Sequence, residues 1–103
     1  MLGLNSQIKA GTYTGTGAAQ TITLGFRPTF VITANVTDGD AVTLHINGMT
    51  DASSISIGAA AATVTNAITF SSTGFTAGSD NSVSENAKVF RYWAVGGYDG
   101  AGN

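Results

Sequence analysis

Apolar and polar residues alternate with a period of two along much of this chain, as in strands whose two faces meet different surroundings. The alternation opens at Thr21-Ile22-Thr23-Leu24, where aliphatic residues take one face and threonines the other. Phe30 to Val36 is a β-branched and aromatic run, and Ala41 to Ile46 alternates again, with Val42, Leu44 and Ile46 opposite Thr43 and His45. That register sends the aliphatic set to the core and His45, the only histidine, toward solvent or an interface. Asp38-Gly39 and Asn47-Gly48 follow these runs and predict hairpin turns, because both residue types tolerate positive φ.

Shorter strands are expected at Ser54–Ile57, Ala67–Phe70 and Phe75-Thr76. Lys88 to Val95 is apolar or aromatic at nearly every position and reads as a central strand buried on both faces. No window combines helical periodicity with a cap. The alanines of the 58–65 segment have helical propensity, but Thr63, Val64 and Thr65 are β-branched and argue against a helix. Short strands, glycine-rich turns and a lone proline at Pro28 predict an all-β, antiparallel β-sandwich, jelly-roll-like, with two small sheets sharing one core. The expected organisation is an N-terminal arm over 1–8, a sandwich over 9–95 and a glycine-rich, flexible tail over 96–103.

With 103 residues there is room for one core and not two. Charged residues make up only 10% of the chain, so neutral Thr, Ser, Asn and Gly carry its polarity and contacts depend on shape and hydrogen bonds. Four cations against six acids, a net charge of -2, supply no phosphate-neutralising stripe, which argues against nucleic-acid binding. With no cysteine, neither disulfides nor thiolate metal sites contribute. Neither a signal-like opening nor an apolar run of roughly 18 residues occurs, so no membrane association is expected.

Candidate chemistry is sparse. Gly15-Thr16-Gly17 lacks the third glycine and the following helix of a phosphate loop, and reads as a turn. Asp38 and Asp40 lack the further ligands of a calcium loop. There is no nucleophile elbow, and the acids fall in turns or tails except Glu85, which precedes a strand, so no carboxylate pair spans a cleft. The chain is therefore expected to be non-enzymatic, without catalytic, metal or cofactor residues. The aromatic set Phe90, Tyr92, Trp93 and Tyr98 is the exception in interest: alternation separates Phe90 and Tyr92 from Arg91 and Trp93. One of those faces is then core and the other a subunit contact or, alternatively, a sugar-stacking platform.

Tyr13-Thr14-Gly15-Thr16-Gly17, Ile22 to Val31, Ile68-Thr69-Phe70 with Thr73-Gly74-Phe75, and Phe90 to Val95 together resemble the β-rich modules of bacteriophage virions, found in tail fibres and capsid decoration proteins. The resemblance runs from about Gly11 to Val95. Thr16 stands where such modules often carry Asn, and Glu85-Asn86-Ala87 where a glycine is common. The resemblance implies a scaffold and no active site. Because the chain enters its β-domain almost at Met1, the expectation is a stand-alone head decoration or cement protein that binds the major capsid protein at the virion surface after synthesis in the host cytoplasm. A homotrimer would match the local threefold axes of a shell. Leu2 and Leu4, with Trp93 and Tyr98, are the expected capsid or subunit contacts; burying both leucines would contribute at most about 3–5 kcal/mol per subunit. The alternative is a tail-fibre or receptor-binding domain whose aromatics contact host glycan.

Overall fold

A computed structural model describes residues 7–39, 41–57 and 61–96. Nine strands and one helical turn are seen among them: β1 (Gln7–Thr14), β2 (Gln20–Thr23), β3 (Pro28–Asn35), β4 (Val42–Ile46), β5 (Ser54–Ile57), β6 (Ala61–Val64), β7 (Ile68–Phe70), β8 (Gly74–Ala77), α1 (Asn81–Ser84) and β9 (Val89–Gly96). They form two antiparallel sheets, six-stranded in the order β1-β9-β3-β4-β5-β6 and three-stranded in the order β2-β8-β7. The chain is thus an all-β sandwich of unequal layers. This strand order establishes the sandwich and does not by itself specify a jelly roll.

Local sequence explains most boundaries. Pro28 opens β3, the strand position where a missing N–H costs least. The turn after β3 is held by Asn35, whose Oδ1 accepts from the Asp38 N–H at 2.9 Å while Gly39 takes φ 70°. After β4, the Met49 N–H donates to the Ile46 carbonyl at 3.0 Å, and of the two residues between them, Asn47 and Gly48, only Gly48, at φ 99°, is left-handed. The link to β5 then continues to Ser53, so Asn47-Gly48 begins a longer hairpin loop and is not a two-residue primed turn. Asp80 caps α1 by accepting from the Ser82 N–H at 2.9 Å.

The three-stranded sheet follows the simplest binary rule. Ile22, Phe75 and Phe70 lie side by side across β2, β8 and β7 and face the core, as do Ala77 and Ile68. Thr21, Thr76 and Thr69 form the matching row on the opposite face. Leu24, Phe26, Val83 and Ala67 close the ends of the core, and Tyr13 stacks on Phe90 at 5.2 Å and meets Phe75 edge-on. The Tyr13 hydroxyl donates to the Val83 carbonyl at 2.7 Å, and burial pushes its pKa well above the ordinary tyrosine value.

Several expectations need correction. Pairing with β9 over its whole length draws Gln7 to Thr14 into a strand, so Gln7 and Ile8 belong to the sandwich and not to an arm, and Gly96 completes β9. The alanine-rich segment ends in β6, paired with β5. One helical turn exists where none was expected. β9 is central in its sheet but covered on one face only: Phe90, Tyr92 and Ala94 are buried while Arg91 and Trp93 are exposed. His45 is 2% exposed and points between the sheets, opposite to the expected direction.

Candidate functional site

His45 is the first residue to test for chemistry. Its Nδ1 lies 3.1 Å from Ser54 Oγ, which also accepts the Ile68 N–H at 3.1 Å, and the Phe70 ring meets the imidazole edge-on at 4.6 Å. Burial pushes the His45 pKa down, opposed by hydrogen bonding to the Ser53 backbone and by the nearby Asp51 charge. Ser54 is fully buried. A serine beside a histidine with no route for substrate is a structural contact, tying β4 and β5 to β7 across the sandwich.

The other motifs also resolve into architecture. The Gly15 N–H donates to the Lys88 carbonyl at 2.8 Å, the Gly17 N–H to the Ser84 carbonyl at 2.7 Å and the Thr16 N–H to Ser84 Oγ at 3.3 Å. No donor of that loop is left for an anion. A Cβ on Gly15 would lie 2.1 Å from the Glu85 carbonyl, so the glycine permits the β1–β2 turn to press against the segment after α1. Asp38 pairs with Lys88 at 3.3 Å, while its companion Asp40 lies outside the described residues. Among the described residues no group of three metal-ligating side chains converges.

What remains is the outer face of the six-stranded sheet. Register places its side chains in three cross-strand rows. The first is Ile8-Val95-Phe30-Ile46, the second Ala10-Trp93-Ile32-Leu44-Ile55-Thr63, and the third begins Thr12-Arg91-Ala34-Val42-Ile57. Only Arg91 is charged in these rows. Ile8 is 64% exposed and Trp93 52%, and Ile46 and Ile57 are also exposed. Between Trp93 and Arg91 the surface sinks into an open hollow of ≈ 330 Å³ with Ala10, Ile32, Ala34 and Val42 in its lining. The hollow exists because small residues flank β9 on both sides, Ala10 of β1 beside Trp93 and Ala34 of β3 beside Arg91.

The same sheet turns its polar residues inward. Thr33, Asn35, Thr43, His45 and Ser54 are buried between the layers, mixed with Val31, Phe90, Tyr92 and Ala94. Most of the polar ones have partners: besides His45 and Ser54, Thr43 Oγ1 donates to the Ser82 carbonyl at 3.4 Å and Asn35 Nδ2 to Asp38 Oδ2 at 3.3 Å. On β4 the aliphatic side is therefore the outside. The alternation of Val42, Leu44 and Ile46 was visible in the sequence, but which face met the other sheet was not. A signal did exist: the apolar run of β9, broken by Arg91 alone, and the aliphatic sides of β3, β4 and β5 add up to more apolar surface than one small sandwich can cover.

Of the expected contact residues, Trp93 lies at the edge of the hollow, while Leu2, Leu4 and Tyr98 lie outside the described residues. Phe90 and Tyr92 belong to the interior. Among the described residues no helix is long and apolar enough to cross a membrane. Compared with known protein families, with curated proteins and with solved structures, the chain matches none.

Proposed function

We propose that this chain is a non-enzymatic structural module of a bacteriophage particle, most simply a head decoration or cement protein that binds the major capsid protein and assembles as a homotrimer. The observation that carries the reading is the outer face of the six-stranded sheet. Three rows crossing four to six strands about 4.8 Å apart give a footprint on the order of 400 Å² in projection, and side-chain relief adds to the accessible area. A contiguous apolar patch of that size is among the largest a monomer of this kind carries and is often functional, which supports its reading as a contact surface. Specific interfaces bury about 800 Å² per partner, and the face supplies at least half of that in projection alone.

The viral setting rests on the resemblance of the Tyr13–Gly17, Ile22–Val31 and Phe90–Val95 segments to virion β-modules. Sparse charge suits a protein that grips through shape and desolvation, since salt then weakens the contact little. Trp93, half-exposed and lining the same hollow as Arg91, favours a second reading as a glycan-contacting fibre domain, because a ring and a donor together suit a sugar.

Intact particles from the source of this chain decide between them. Electron microscopy and mass spectrometry should find the protein on the head surface, and it should co-sediment with undecorated shells in high salt. Placement on a fibre tip, with glycan binding lost in Trp93→Ala, establishes the second reading. Absence from particles sinks both.

A further inference from the structure

We infer that the outer face of the six-stranded sheet is covered by the same face of another copy of this chain, with Trp93 of one copy entering the hollow of its neighbour. The inference rests on the reading of that face as an assembly surface and names its occupant.

Two observations select a copy of the chain over a different protein. The first is self-complementarity. The face carries a knob, the half-exposed indole of Trp93, and beside it an open hollow of ≈ 330 Å³ whose lining includes Ala10, Ala34 and Trp93 itself. Turning one face onto another sets each knob over the other's hollow. A pair related by a twofold does this reciprocally and closes as a dimer; a ring of three needs two different surfaces on each chain, so a trimer would be built through another part of the molecule. The second is the lack of charge. Partners that also live apart keep polar surfaces where they meet, whereas permanent homo-oligomers have interfaces resembling a core cut in half. Rows reading Ile-Val-Phe-Ile and Ala-Trp-Ile-Leu-Ile are of the latter kind.

Arg91 has a place in this packing. It lines the hollow that receives the partner's indole, and a weakly hydrated planar cation over an indole face is a favourable arrangement. Both residues occupy the outward side of β9, two positions apart, so the knob and its cation come from one strand.

Trp93 is the only tryptophan of the protein, so its fluorescence reports this face alone. The full chain should sediment as a multiple of its mass at micromolar concentration. Its emission should shift to longer wavelength on dilution, in step with the loss of mass. Trp93→Ala, which removes the knob, and Ala34→Glu, which fills and charges the hollow, should each weaken self-association about tenfold or more, the loss expected at an interface hot spot. Unchanged circular dichroism in both variants keeps that loss from being one of folding.

A single-chain mass with exposed-tryptophan emission at all concentrations overturns the inference, as does an oligomer indifferent to both variants. If that single chain still binds phage shells and loses binding in Ala34→Glu, the assembly surface stands and only its occupant is wrong. If it binds neither itself nor shells but partitions into phosphatidylcholine vesicles, both readings fail.

Discussion

The two sheets of this sandwich end in opposite ways. The three-stranded sheet shows the outside a row of threonines, Thr21, Thr76 and Thr69, and keeps Ile22, Phe75 and Phe70 for the core. The six-stranded sheet shows the outside Trp93, Ile32, Leu44 and Ile55 in a single row, and turns Thr33, Thr43, His45 and Ser54 inward. Both obey period-two alternation, so the difference lies in which side each strand commits to the interior. The small sheet is finished by folding. The large one has a second apolar surface that folding leaves uncovered, and its polar interior is made tolerable by hydrogen bonds to the loops and the helical turn beneath it.

The comparison breaks most readily on β9, whose neighbouring positions serve the two faces. Phe90 is fully buried against Tyr13, and Phe90→Ala should cost about 3–5 kcal/mol of folding stability, the usual range for an aromatic truncated in a core. Trp93→Ala, three residues away and 52% exposed, should cost the isolated chain less than about 1 kcal/mol. Urea unfolding at concentrations low enough to leave single chains measures both. Equal losses would mean that the outer face is part of the fold and not a surface awaiting a partner.

Much of this arrangement was legible in the sequence, and the failures share a cause. Thr21 to Leu24 and Ser54 to Ile57 can be read from alternation because side-chain polarity reports two-sidedness directly; the final aromatic strand is legible as a strand, but its near-continuous apolarity suggests two covered faces where it has one. The direction of His45 cannot: alternation says that Leu44 and His45 lie on opposite faces, and it is silent on which face meets the second sheet. β1 is hidden for another reason. Gln7 to Thr14 mixes Lys9, Ala10 and Gly11 with two threonines, a weak strand by composition, and its conformation comes from pairing with β9 along its length. The candidate face was legible only in part, since Trp93 stands out as a residue while the rows that surround it depend on the register of six strands.

The inward polarity of the large sheet should give the fold a pH dependence that the small sheet cannot supply. Burial lowers the His45 pKa in the folded chain below the 6.5 of an exposed imidazole, so the folded state holds it neutral and the unfolded state takes up the proton first. Stability is then fully present above about pH 6.5 and declines as the pH falls below it, by up to about 1.4 kcal/mol per pH unit until the folded-state pKa is reached. Thermal melts between pH 7.5 and 5 check this, and His45→Gln should flatten the profile over that window. A wild-type profile already flat there would mean that the imidazole is protonated as easily inside as out.

A further expected effect has the opposite sign. Thr33 is wholly buried on the inward side of β3; its hydroxyl lies toward that of Tyr13 but, among the described residues, makes no well-formed hydrogen bond. Burying such a hydroxyl costs about 1–3 kcal/mol, and valine replaces it with a methyl of nearly the same shape while keeping the β-branched fit to a strand. Thr33→Val should therefore raise stability by about 1 kcal/mol, seen as a higher urea midpoint at unchanged slope. The same replacement at Thr43, whose hydroxyl reaches the Ser82 carbonyl and Ser56, should lower it, because it leaves the tie between β4 and α1 unmade. If Thr33→Val destabilises instead, the inward polarity of the large sheet is a connected network that includes Thr33, and the contrast between its two faces is sharper than the hydrogen bonds alone indicate.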